Sequence, residues 1–206
     1  VQRHYQQWFP ILPSQSRLWH RIRQGLLIAE QFRQHLLSVF GHLYEDIRIF
    51  DTMPLPVCPL EKAARFQEFP LADFGYCPSK NQHYFGFKLG LSILPIGLPD
   101  VVEILPARPH DVNYLSELVD SGGVIYLGDK GFICQHQINL LEKQDEKLVV
   151  TPNRDNHQGA GNTDLENMLL SVWRNKIEAV FSILTAMRIK NTGAKTMNGL
   201  IQRVYG

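Results

Sequence analysis

Apolar positions along the chain recur with two periods, and the order of the blocks suggests a fold. Leu18, Ile22, Leu26, Ala29, Phe32, Leu36 and Phe40 recur at steps of three or four, which predicts a helix preceded by Pro10, Pro13, Ser14 and Ser16. Arg17, Arg21, Arg23 and Arg33 dominate its polar side, as contacts to nucleic-acid phosphates or as a solvated face. Residues 44–53 read as a strand carrying Asp51. Pro54, Pro56 and Pro59 argue against its continuation, so 54–82 reads as an irregular insertion with Arg65, Lys80 and several aromatics, long enough to suggest a function. The strictest alternation lies in 84–94, where Phe85, Phe87, Leu89, Leu91 and Ile93 face one way and Tyr84, Gly86, Lys88, Gly90 and Ser92 the other. A turn at Pro95-Ile96-Gly97 and a return strand at 100–105 predict an antiparallel pair.

The second half alternates helices and strands. Pro109-His110-Asp111 opens a helix with Asp111 as the expected N-cap and Val112, Leu115, Leu118 and Val119 as its buried stripe. Gly122-Gly123 ends it, and Val124 to Leu127 reads as a strand buried on both faces, with Asp129 just past its end. A helix over about 132–144, a strand at Leu148-Val149-Val150 and a polar linker at 152–163 follow. Thr163 and Glu166 form a capping-box pattern before a helix whose stripe is Leu169, Val172, Trp173, Ile177, Val180, Leu184 and Met187. Trp173 and Phe181 read as core, and Glu178 sits at the edge of the stripe, one turn from Arg174. The order predicts a mixed α/β sheet of five strands flanked by helices. Asp51 and Asp129 would lie on neighbouring central strands, with Glu178 brought in by the last helix.

A chain of 206 residues with 44% hydrophobic content can bury a core, and its 20% charged content excludes wholesale disorder. No stretch reaches membrane-span length, and no secretory signal is visible, so the expected location is the cytoplasm. The chain starts at Val1 without a methionine, as a fragment of a longer protein would. Cys58, Cys77 and Cys134 are too few for a disulfide framework. Cys58, Cys77 and His83 match no common zinc spacing and read as ordinary side chains. Gly86 and Gly90 open no helix, so they form no dinucleotide-binding loop.

The net charge of +1 hides an uneven distribution. Lys and Arg outnumber Asp and Glu six to three in 1–50, trail nine to sixteen in 51–170, and lead six to one in 171–206. The single acid of the last segment is Glu178, which suits either a metal ligand beside a phosphate-binding surface or an incidental acid on a solvated basic helix. Asp51, Asp129 and Glu178 together offer the hard oxygen donors that divalent ions require, and phosphodiester cleavage commonly uses two such ions.

These residues resemble the catalytic domain of bacterial insertion-sequence transposases of the DDE type. The resemblance runs from Asp51 to Val204 through Asp51-Thr52-Met53-Pro54, Gly75-Tyr76-Cys77, Tyr84 to Leu89, His110-Asp111, Gly128-Asp129-Lys130-Gly131 and Ile177 to Ser182. It implies a ribonuclease-H-like fold over 44–206, with 1–43 as an N-terminal helical segment, a truncated DNA-binding region. It also implies Asp51, Asp129 and Glu178 as catalytic metal ligands for two Mg²⁺ ions, with Mn²⁺ able to substitute. The implied reaction is cleavage at element ends and transfer of the freed 3′-hydroxyl to target DNA, with a homodimer on DNA. Lys130, Arg174 and Lys176 are candidate DNA contacts, and His110 either approaches the phosphate or positions the helix after it. Ser171 and Thr185 stand where many relatives carry a tyrosine and a lysine. Two other functions fit the same residues: a DNA-binding remnant without catalysis, and a stand-alone nuclease that never joins ends.

Overall fold

The computed structural model describes residues 13–40, 46–65, 69–119, 122–153, 161–191 and 193–205. Pro10, the start of the expected first strand at 44–45, the middle of the expected linker and the side chains of Ile22, Arg23 and Arg65 lie outside the described residues.

Strands β1 (Ile47–Cys58), β2 (Asp73–Cys77), β3 (Gln82–Ile93), β4 (Pro99–Pro106), β5 (Ile125–Leu127) and β6 (Leu148–Val150) form one mixed sheet. One edge of β3 pairs antiparallel with β1 from Cys58↔Phe85 to Ile49↔Ile93. Its other edge takes β2 near the start and β4 near the end, both antiparallel. On its far side β1 pairs parallel with β5, and β5 with β6. Among the described residues the helices are α1 (Gln15–Phe40), α2 (Leu115–Leu118), α3 (Gln135–Asp145), α4 (Asp164–Ala186) and α5 (Met197–Tyr205).

The alternation of β1 and β3 sorts the core onto two faces. Ile49, Met53, Leu55, Phe87, Leu89, Leu91 and Ile93 pack against Ile177 of α4 and Leu200 of α5. Phe50, Tyr126, Phe132, Leu115 and Leu118 fill the opposite layer under α2 and α3. Burying a large apolar side chain contributes roughly 1.5–3 kcal/mol, so both layers hold the sheet in place. Trp173 and Phe181 pack at the margin of the first cluster, as expected of core residues. Thr163 and Glu166 form the capping box that starts α4.

Several expectations need correction. The sheet has six strands, because β2 forms inside the stretch read as irregular. β1 also runs through Pro54 and Pro56 to Cys58. The Asp46 carbonyl accepts from Ile125, so even-numbered residues of β1 direct their backbone groups toward β5. β5 pairs only as far as Ile49, so both prolines withhold their missing N–H on an edge that needs none. Asp111 is not a cap: the segment after His110 is a 3-10 turn, Asp111–Tyr114, with no side-chain cap bond. Val124 is exposed and lies outside β5. Val172 and Met187 of the α4 stripe are exposed. α4 is not the last helix, since α5 follows and the Tyr205 hydroxyl donates to the Val102 carbonyl at 2.7 Å.

α1 is held by specific polar contacts more than by its apolar stripe, for Ala29, Phe32 and Phe40 of that stripe are exposed. Arg33 is a docking residue: its Nη1 donates to the carbonyls of Pro99 and Asp100 at 2.9 and 2.7 Å, while Glu30 grips the other side of the guanidinium. That contact holds the Glu30 carboxyl down to about 2. Among the described residues, no helix is long and apolar enough to cross a membrane.

Gly86 sits opposite Pro56, where β1 and β3 lie close together. Its φ is +153°, and a Cβ there would run into the Leu55 carbonyl oxygen and lie 2.9 Å from the Val57 nitrogen. Gly86→Ala must either part the two strands or strain the backbone. A loss of roughly 2–4 kcal/mol is expected by urea denaturation, against less than about 1 kcal/mol for Gly122→Ala, which meets nothing within 4 Å.

Candidate active site

Asp51 and Asp129 are brought together by strand register. β1 and β5 run parallel with Ile49 opposite Leu127, and each acid follows its strand residue by two positions. The two carboxylates therefore stand at the same level on adjacent strands. Gly128 permits this closeness, because a Cβ there would collide with the Phe50 ring that packs beneath the strand ends. Phe50 is itself fixed edge-to-face against Phe132 at 4.8 Å between centroids.

Glu178 arrives from the other side of the same pocket. Ile177 anchors α4 in the core, and Glu178 and Arg174, one turn apart, face the strand ends. Asp51, Asp129, Arg174 and Glu178 line one cleft of about 30 Å³, floored by Ile49, Leu127 and Ile177. Arg174 bridges the acids: its Nη2 lies 3.5 Å from Asp129 Oδ1 and its Nε 3.4 Å from Glu178 Oε1. The expected convergence of the three acids on one place is present. Lys130 and Lys176 are exposed and do not line the cleft.

Asp51 carries the electrostatic cost of this gathering. Burial pushes its carboxyl up to about 7, with Asp129 and Asp111 adding repulsion, while the bond from the Thr52 N–H at 2.7 Å and the charge of Arg174 oppose the rise. Negative charge is in surplus around Asp51, a guanidinium lies between the other two acids, and all three carry hard oxygen donors of the kind a divalent cation takes. As the side chains stand, no group of three or more His, Cys, Asp or Glu among the described residues is arranged to hold a metal ion. Arg174 fills the space between Asp129 and Glu178 in this state.

A fourth acid belongs to the neighbourhood. Asp111 Oδ1 accepts from the Lys88 ammonium at 2.8 Å and from the Thr52 hydroxyl at 2.9 Å. Lys88 also donates to the Pro109 carbonyl at 2.6 Å, so the turn before α2 is tied to β3 and to the residue next to Asp51. The signal for this was Lys88 itself, the sole Lys, Arg, Asp or Glu in β3, since a buried ammonium requires an acceptor. His110, beside it, is exposed and makes no capping bond.

An acid within β1 and another just past the end of the parallel strand β5 paired to it, faced by a helix packed on the mixed sheet, define a ribonuclease-H-like α/β domain. The family described as transposase DDE domain matches residues 41–196, and the chain belongs to that family. No curated protein and no solved structure matches the chain. Family membership makes this a transposase-type protein, for which DNA is the implied partner and a divalent metal the general requirement.

The raised Asp51 carboxyl has a consequence for stability in the absence of divalent ions. Between its ordinary 3.8 and about 7 the folded state holds a proton that the unfolded chain has released. That contribution is complete below the lower value and is lost as pH rises through the upper one. Asp51→Asn should flatten this part of the pH–stability curve. Near pH 8 it should stabilise the metal-free protein by roughly 2–4 kcal/mol, and equal urea midpoints for the two proteins at that pH would contradict the assignment.

Proposed function

We propose that this chain is a DNA transposase that cuts at insertion-sequence ends and joins the freed 3′-hydroxyl to target DNA. Asp51, Asp129 and Glu178 would be its metal-binding catalytic carboxylates. The observation that carries this reading is the shared cleft: two acids level on adjacent parallel strands, a third facing them from α4, and Arg174 between. When bound, two Mg²⁺ ions, for which Mn²⁺ can substitute, supply Lewis-acid stabilisation of the charge that develops around phosphorus.

The chain's own residues do the rest. Asp51, deepest in the cleft, is the central ligand, and Asp129 and Glu178 complete the donor set from either side. Thr52 holds the Asp51 carboxylate through its backbone N–H and donates its hydroxyl to Asp111, which Lys88 holds in turn. Were Asp129 and Glu178 to hold a cation, the guanidinium of Arg174 would be free to pair with a DNA phosphate, for which its planar fork is suited. Lys130 and Lys176 flank the cleft as further phosphate contacts. Residues 44–206 form the catalytic domain, 1–43 a helical segment on the DNA-binding side, and the working unit is a homodimer on DNA in the cytoplasm.

A second reading is a DNA-binding remnant without catalysis, in which Arg174 stays between Asp129 and Glu178. An assay on DNA carrying the element's own ends, with Mg²⁺, separates the possibilities. Asp51→Ala, Asp129→Ala and Glu178→Ala should each reduce both cutting and joining at least about a thousandfold while the protein still melts cooperatively. Binding without product would favour the remnant, and cutting without joining a nuclease. Mg²⁺ should also raise the melting temperature of the unaltered protein more at pH 8 than at pH 5.5, because protons compete for the ligands. Asp51→Ala should lose that difference.

A further inference from the structure

A second cavity, of about 250 Å³, lies farther along β1 from the carboxylates, where the edge of the strand has outrun β5. Pro54 and Pro56 form part of its wall, so it lies three to five residues past Asp51, roughly 10–17 Å at about 3.3 Å per residue. Lys80, from the 3-10 turn after β2, and Lys190, from the 3-10 turn after α4, converge on it together with His83. Burial and the neighbouring Lys80 both push the Lys190 ammonium below its usual value, with Cys77 opposing.

The independent sign of a ligand is Tyr84. The residue is only 7% exposed and lines this cavity, yet its hydroxyl is buried with no hydrogen-bond partner among the described residues. An unmade hydrogen bond on a buried polar group costs on the order of 1–3 kcal/mol, so an orphan of this kind calls for an explanation. Gly75 makes room for it: a Cβ there would stand 2.7 Å from the Tyr84 hydroxyl oxygen. The prolines cannot satisfy that hydroxyl through backbone N–H groups, and the two lysines line the same cavity. One acid, Glu61, also lines the cavity and leaves the balance cationic. Cys58 and Cys77 line it too, but no group of three His, Cys, Asp or Glu among the described residues is arranged to hold a metal.

We infer that this cavity is a binding site for a backbone phosphodiester of DNA, with Lys80 and Lys190 pairing with the phosphate and Tyr84 donating its hydroxyl to it. The naming of DNA rests on the function proposed above. The site would hold the strand roughly three to five nucleotides from the scissile position, at about 3.4 Å of helix axis per nucleotide.

The test is binding of a fluorescent duplex by the full chain, without divalent ions, across a salt series. Lys80→Gln/Lys190→Gln should weaken binding about tenfold near 0.1 M salt and make the slope of log K against log salt shallower by about 1–2. Tyr84→Phe should weaken binding a few-fold while raising the melting temperature of the DNA-free protein, because it removes the buried orphan. A merely structural tyrosine would not give that crossed pattern. Unchanged affinity and slope in the lysine variant, or no salt-sensitive binding by the unaltered protein, would overturn the site. If the lysine variant binds normally while Asp51→Ala abolishes metal-dependent cutting, this site fails and the carboxylate reading stands. The opposite pair of results rejects the carboxylates and retains the site.

Discussion

The two-sided pairing of β1 is the constraint on which the rest of this structure depends. Antiparallel bonding to β3 fixes which of its side chains enter the α4 layer, and parallel bonding to β5 fixes how far along the strand Asp129 appears. Because side chains alternate, a slip of one residue would turn Asp51 into the opposite layer and bring Phe50 or Thr52 to the cleft. The pairing is protected by bulk on both faces and by missing bulk at two crossings: Gly86, where β1 and β3 come close, and Gly128, under the Phe50 ring. Packing of ordinary apolar residues thus decides where three widely separated acids meet.

That meeting is electrostatically unfavourable, and the surrounding polar contacts moderate it. Arg174 lies between two of the acids, and the Thr52 N–H supports the third. Behind Thr52, the Lys88–Asp111 pair joins β1, β3 and the turn before α2 into one hydrogen-bonded unit. Breaking a buried pair of this kind costs far more than its net contribution to stability, so it acts chiefly to fix geometry. The cleft therefore rests on a rigid base, while its mouth carries one long, half-exposed side chain, that of Arg174, able to change partners.

Much of this could be read from the chain. The period-two pattern of 84–94, the turn after it, the buried run ending before Asp129 and the capping box of Thr163 and Glu166 all mark real elements. Asp51, Asp129 and Glu178 were identifiable by position and by resemblance, and they share a cleft. What escaped depends on tertiary context. Prolines usually end a strand, but whether they do depends on which edge their nitrogens face, and that depends on how short β5 is. Asp111 follows the local rule for a cap, yet Lys88, 23 residues earlier, claims it. Arg33 looks solvated by periodicity and is instead captured by carbonyls of β4, 66 and 67 residues away. Local rules mislead where a distant partner outbids them.

The prolines of β1 have one more effect. A strand edge left open beside a sheet invites a strand from another molecule to add to it, and stacked copies can follow. Pro54 and Pro56 remove alternate donors from that margin, so a foreign strand finds no continuous ladder to extend. The protein can leave this flank uncovered by sheet, open to a ligand, without becoming a template for its own aggregation.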